Sequence, residues 1–327
     1  MKILLTGGTG FIGRYVLTFL LEEDHIVNAL VRDPSKLIIS SHFNLNVITG
    51  ELNDLGCVNE SIKECDVVIH LAALVSVDEK IPSEFYETNL RGTLNLLAAA
   101  KKNCVKKFVF SSSLAAHEFL GHQIITEKSL TEPLEYFSKY AETKAKAERL
   151  VVEYSKFGLP YIIIYPTRVF GIGPLADSNG ATKAIALYLK NKLPFLIDKG
   201  NQYSSWAFVE DVAKGITSAA TSNVCNKRYI LGGENRTLAD VYKVADQISG
   251  KYHFKISLSN KTALAIAMVI EFMAKLTRKK PIITREWLSF ILESFKLSSG
   301  KATSDLNYKI TPIETALNKT IVWLKSL

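Results

Sequence analysis

Thr6-Gly7-Gly8-Thr9-Gly10-Phe11-Ile12-Gly13 follows directly on the apolar run 2–5 and opens a stretch of helical periodicity at 11–22. Glycines at 7, 10 and 13 permit a tight turn, close backbone approach to a pyrophosphate and tight packing of helix on strand. The helix N-terminus then offers unpaired N–H groups and a positive dipole to the phosphates. A glycine triplet by itself marks only a turn. Strand, turn and helix in this order predict a dinucleotide site made by Gly7, Thr9, Gly10, Phe11, Ile12 and Gly13.

Working outward, compact apolar blocks at 26–31, 46–48, 67–71, 107–111 and 161–165 join 2–6 as candidate strands, each suited to burial on both faces. Helical patterns at 11–22, 55–63, 84–103 and 136–157 separate them. This alternation predicts an α/β chain, with a Rossmann-type, doubly wound parallel sheet over 1–170 that binds NAD(P). Gly171-Ile172-Gly173-Pro174 then punctuates the sequence. Residues 171–327 read as a smaller, mainly helical substrate lobe, the chain returning to the sheet around 204–232. Helices are expected at 211–220 and 238–248, with a strand at 228–231 between them and Thr237 as an N-cap.

The 327 residues, 47% hydrophobic and 22% charged, can bury substantial cores without staples, which excludes a disordered chain or a small disulfide scaffold. Cys57, Cys65, Cys104 and Cys225 are too scattered for a disulfide framework or a ligand pair and read as reduced thiols of a cytoplasmic protein. The first apolar run is broken early by the glycine turn, unlike a signal peptide. The longest apolar stretch, 262–276, is interrupted by Glu271 and falls short of the ~20 residues a transmembrane helix needs. The net charge of +8 is wholly C-terminal: 251–327 carry 13 Lys/Arg against 5 Asp/Glu, while the first 250 residues hold 27 of each. No aromatic-interleaved basic stripe points to nucleic acid. No HExxH motif or Cys/His cluster points to a metal, and no GxSxG to an acyl-transfer nucleophile.

The second strand should end near the adenosine ribose, where an NAD site usually places a carboxylate. Here the strand ends in Val31 followed by Arg32, which can pair with a 2′-phosphate, and Lys36 is close enough to help. NADP is therefore the expected cofactor. Asp33, one residue further on, keeps NAD open as the alternative.

Tyr140-Ala141-Glu142-Thr143-Lys144 sets a phenol and an ammonium on one helical face. A free phenol titrates near 10, and a neighbouring Lys⁺ favours its ionised form. Phe108-Val109-Phe110-Ser111-Ser112-Ser113 ends a strand in three hydroxyls at the sheet edge where such folds bind ligands, a suitable place to hydrogen-bond a substrate oxygen. Ser111 is assigned to the cofactor side.

TGGTGFIG at 6–13, HLAA at 70–73, ETNLRGTLNLL at 87–97, FSSS at 110–113 and YxxxK at 140–144 together resemble an extended short-chain dehydrogenase/reductase, in the NAD(P)-dependent epimerase/dehydratase superfamily. The resemblance implies that Tyr140 donates or accepts the proton, that Lys144 lowers its pKa and holds the nicotinamide ribose, and that Ser113 orients the substrate oxygen, with Ser112 the alternative if the register slips. Asn89 matches the helix asparagine near the active site, against a role in helix packing alone. Leu71, Ala72 and Ala73 are implied in the cofactor wall, Glu51 and Leu52 near adenine (the family more often has Asp at the first), and Pro166 and Thr167 beside the nicotinamide.

VRDPSKL at 31–37 and GKATSDLNY at 300–308 running into TIVWL at 320–324 resemble the dihydroflavonol-reductase-like branch. That branch implies NADP-dependent interconversion of a ketone and an alcohol on a small, moderately apolar molecule. A nucleotide-sugar epimerase or dehydratase is the competing reading. Such enzymes generally carry an arginine shortly before the segment matching Trp206–Ala213, where this chain has Ser204 and Ser205, although Arg168 could serve. A third reading is a non-catalytic NAD(P)-binding sensor. In the lobe, 263–270, Phe272 and Met273 lead into Arg278-Lys279-Lys280. They read either as a packed helix, or as an apolar substrate wall or a surface touching anionic lipid. His117 and His122 could approach the substrate. Helices at 84–103 and 136–157 are the expected homodimer interface.

Overall fold

A computed structural model describes residues 1–76, 78–118, 124–281 and 283–327. Its strands are β1 (Lys2–Thr6), β2 (Ile26–Val31), β3 (Leu45–Thr49), β4 (Val67–His70), β5 (Lys107–Ser111), β6 (Tyr161–Pro166), β7 (Arg168–Phe170), β8 (Phe195–Ile197), β9 (Tyr203–Phe208), β10 (Lys227–Leu231), β11 (Glu234–Thr237) and β12 (Ile256–Leu258). Its helices are α1 (Gly13–Glu22), α2 (Leu55–Ser61), α3 (Pro82–Phe85), α4 (Gly92–Lys102), α5 (Lys139–Ser155), α6 (Gly180–Leu189), α7 (Val209–Thr221), α8 (Leu238–Ser249), α9 (Asn260–Thr277), α10 (Arg285–Leu292), α11 (Gly300–Leu306) and α12 (Ile313–Lys325).

Seven strands form one parallel sheet in the order β10-β6-β5-β4-β1-β2-β3. Successive side chains of β1 point to opposite faces. Ile3 and Leu5 join Val16, Leu17 and Leu20 of α1 and Val212 and Ile216 of α7, whereas Leu4 joins Leu96 and Leu97 of α4 and Val151 of α5. Each of these fully buried aliphatic side chains contributes about 1.5–3 kcal/mol, which is why apolar blocks without polar alternation become central strands. β10 lies between helices in sequence, yet it pairs with β6 and extends this sheet.

Three departures from the sequence reading bear on the site. Phe11 and Ile12 belong to the glycine turn, so α1 starts at Gly13. α5 starts at Lys139 because the Ser138 hydroxyl accepts the Ala141 N–H at 3.1 Å and sets the N-cap there. The helix expected over 84–103 is interrupted by a π-turn, Tyr86–Arg91, between α3 and α4. Such turns concentrate at functional sites.

α2 packs with α4 on one face of this sheet and α11 with α7 on the other. β7, β9 and β11 form a small sheet, and α6, α8 and α12 share a core in which Tyr188 stacks on Tyr242. A capping box starts α8: Thr237 Oγ1 accepts from Asp240 N, and the Asp240 carboxylate accepts from Thr237 N, both at 3.1 Å. α9 and α10 pack through Ala263, Ala267 and Leu288. Among the described residues no helix is long and apolar enough to cross a membrane.

Candidate active site

The carboxyl ends of β1, β2, β4, β5 and β6 open into a cleft of about 510 Å³, at the point where the strand order reverses between β1 and β4. Gly7 sits at φ +79°, and a Cβ there would come within 2.7 Å of Ala72 N. A Cβ at Gly13 would collide with the Gly7 carbonyl oxygen. The turn therefore closes only with glycine at both positions. Among the described residues no side chain caps α1; Arg14 N bonds to Gly10 O, and Tyr15 N and Val16 N to Ile12 O, so the N–H groups left for an anionic ligand are those of Phe11, Ile12 and Gly13 where the glycine turn enters the helix. This cradle fits the pyrophosphate of an NAD(P) cofactor.

Of the residues assigned to the cofactor, all but Lys36 line the cleft. Lys36 is held outside by an ion pair with Asp33 at 3.3 Å. Asp33 also accepts from Ser35 N at 3.1 Å and Ser35 Oγ at 2.6 Å, capping the short turn Pro34–Lys36. The Ser35 hydroxyl and the Lys36 ammonium hold its carboxyl below the usual range. Arg32 is exposed on the cleft wall, and among the described residues it has no ion-pair partner.

The serine run separates into different jobs. Ser112 Oγ donates to the buried Glu148 at 2.7 Å, and Glu148 also accepts from Tyr165 OH at 2.6 Å and His117 Nε2 at 3.1 Å. Burial would raise the Glu148 carboxyl, but His117, Tyr165 and Ser112 overcome that and hold it low. Ser112 and His117 are thereby committed to an internal network. His122 lies outside the described residues. Ser113 instead faces the cleft beside the Tyr140 phenol, and its Oγ accepts from Ala115 N at 3.2 Å.

Lys144 is buried, donates to Ser111 O at 2.5 Å and lies 4.1 Å from the Phe110 ring centroid. Burial pushes its ammonium down to about 7, partly opposed by Glu148. The Tyr140 phenol moves opposite to the expected direction: burial raises it, and the neighbouring Ser113 hydroxyl only partly offsets the rise. Asn89 also departs from expectation. It does not line the cleft. Its side chain accepts from Leu74 N at 2.7 Å and donates to Leu74 O and Thr143 Oγ1, each at 3.1 Å, tying the β4–α3 loop to α5. It positions the wall without touching the cleft space. Beneath the glycine turn, His70 bridges Thr6 (2.7 Å) and Thr93 (2.9 Å), kept neutral by burial with its pKa near 3.

The cleft has a wall that the sequence reading missed. Trp287 and Phe290, one helical turn apart on α10, line it together with Tyr140. Tyr140 stacks on Trp287 with ring centroids 6.1 Å apart, and Phe137 packs on Trp287 and Phe290 at 5.4 and 4.9 Å. The i, i+3 aromatic pair on a short amphipathic helix was the available signal. The stretch 263–273 on α9, which the sequence left open between a packed helix, a substrate wall and a lipid-facing surface, contributes no lining residue. Arg168 lies 5.3 Å from the Trp206 ring centroid and is likewise off the cleft wall, whose cationic side chains are Arg32 and Lys144.

Comparison with known proteins adds a lineage to this geometry. The model of the NAD dependent epimerase/dehydratase family matches residues 3–232. The chain is 28% identical to the "Putative dihydroflavonol 4-reductase" of Synechocystis sp., covering 98% of this chain and 94% of that one. It is 27% identical to a decarboxylating sterol-4-alpha-carboxylate 3-dehydrogenase of Candida albicans, covering 99% and 97%. Its fold superposes on UDP-glucuronic acid 4-epimerase from Bacillus cereus, solved in complex with NAD, with a TM-score of 0.80 at 22% identity, covering 100% and 99%.

Proposed function

Since the chain belongs to the NAD dependent epimerase/dehydratase family and is thereby an NAD(P)-dependent oxidoreductase, we propose that it interconverts a ketone and an alcohol on a small, moderately apolar substrate, with NADP preferred. The observation that carries this reading is the aromatic wall of Trp287, stacked on Tyr140, and Phe290. Such a wall suits an alicyclic or aromatic ring better than a hydrophilic sugar diphosphate. The names of the two relatives, a dihydroflavonol reductase and a sterol dehydrogenase, point the same way.

In this reading the glycine turn, with the N–H groups leading into α1, holds the pyrophosphate, and Arg32 pairs with the 2′-phosphate. The bound cofactor supplies or removes a hydride at the carbonyl carbon. Ser113 hydrogen-bonds the substrate oxygen and orients it. In reduction, the Tyr140 hydroxyl gives that oxygen its proton. In oxidation, the phenolate takes it back. Lys144 holds ribose hydroxyls and, while charged, stabilises the phenolate. Asn89 keeps α5 and the β4–α3 loop in register around them.

Steady-state assays over a panel of aromatic and alicyclic ketones, with NADPH and with NADH, test this. Ketone-dependent oxidation of NADPH is expected to exceed that of NADH. Arg32→Ala should cut the preference by roughly tenfold or more, the weight of a charge-assisted bidentate contact. Turnover of nucleotide sugars alone would replace the proposed substrate class.

A further inference from the structure

Helix α9 turns its small side chains inward and its large apolar ones outward. Ala263, Ala267 and Ala274 are buried, whereas Met268, Val269, Phe272 and Leu276 are 54%, 60%, 65% and 69% exposed. At 3.6 residues per turn these four fall on one stripe about 100° wide. A water-facing helix shows the opposite arrangement, and a contiguous exposed apolar face marks a contact surface. Glu271, the acidic residue of α9, is drawn off this face by Arg285 of α10 at 3.1 Å.

The charge around the stripe is one-sided. Lys275, Arg278 and Lys279 are exposed at its C-terminal end and, among the described residues, have no ion-pair partner. The entire net charge of +8 lies in the same segment of chain, 251–327. A second copy would bring like charges together across such a face. A surface of phosphates over acyl chains complements both features at once.

We propose that the outer face of α9, with its basic end, docks in the plane of an anionic phospholipid bilayer. The 18 residues of α9 lie along the surface, their apolar stripe in the headgroup–acyl boundary and the three cations among the phosphates. Docking here sets the cleft beside the bilayer. Lys280, next to the free cations, is ion-paired with Asp177 on the cleft wall, and α10, packed on α9, carries Trp287 and Phe290. The bearing on substrate access rests on the apolar-substrate reading. The membrane contact does not, and it is measured without cofactor or substrate.

The experiment is sedimentation of the full chain with vesicles of phosphatidylcholine mixed equally with phosphatidylglycerol, against phosphatidylcholine alone, alongside sedimentation velocity without lipid. Binding is expected for the mixed vesicles only. The exposed double substitution Val269→Ser with Phe272→Ser should weaken it by tenfold or more. Neutralising Lys275, Arg278 and Lys279 to Gln should weaken it about a hundredfold. Unchanged thermal unfolding separates either loss from misfolding. Equal or absent binding to both vesicles overturns the proposal, as does binding that neither variant weakens. Self-association abolished by the double substitution assigns the face to a second copy and likewise overturns it.

Discussion

Tyr140→Phe should lower kcat about a thousandfold, within the range set by loss of a positioned general acid, while leaving NADP affinity and thermal stability close to those of the parent. The phenol lies beside Ser113 on the cleft wall, and its ring stacks on Trp287. Phenylalanine keeps the ring and removes only the proton carrier. The raised pKa of the phenol means that it holds its proton at neutral pH and gives it up when the substrate oxygen becomes more basic. Steady-state kinetics with cofactor binding measured in parallel checks this. Loss of kcat with intact cofactor affinity supports a proton-transfer role. Turnover unchanged in the variant would assign the cleft to binding alone, as in a sensor.

Lys144→Met should move stability and function in opposite directions. The ammonium of Lys144 is buried and titrates near 7, against 10.5 for an ordinary lysine. Between these values the unfolded chain holds a proton that the folded chain has lost, so stability rises with pH across that window. Below about 7 both states are charged, and the folded protein bears the whole cost of burying the ammonium. Methionine removes that cost. The variant is expected to melt a few degrees higher than the parent at pH 6, with the gap narrowing toward pH 10. NADP binding should weaken by roughly tenfold with loss of a charge-assisted hydrogen bond, and turnover should fall with it. Calorimetry across pH and fluorescence titration with NADPH read the two effects separately. A variant less stable than the parent at pH 6 would mean that the bond to Ser111 O outweighs the burial cost.

Much of this site could be read from the chain because its parts are local. The glycine turn, the serine run and the Tyr140–Lys144 pair each lie within one element or one turn, where spacing alone fixes the relative placement. What could not be read depends on contacts between distant segments. Nothing local distinguishes Ser112 from Ser113 until Glu148, on the next helix, takes the first. Lys36 seemed near enough to a phosphate because its pairing with Asp33 is a property of the turn geometry. Asn89 carries the right residue type, but its bonds run to Leu74 and Thr143. The long apolar stretch of α9 reads either as a packed helix or as a substrate wall. Periodicity reports that a helix has two faces, not which face meets the protein, and the buried face of α9 is its alanine face. The cleft is lined instead by α10, a segment of only eight residues.

The central claim, net hydride transfer from a bound nicotinamide cofactor to a ketone, is tested most directly by following the label from NADPH deuterated at the transferring C4 position. The account predicts one deuterium on the carbinol carbon of the product for each NADP formed, with Tyr140→Phe suppressing both together. A cofactor pool that turns substrate over yet shows no net oxidation, its label returned to the nicotinamide, would contradict it.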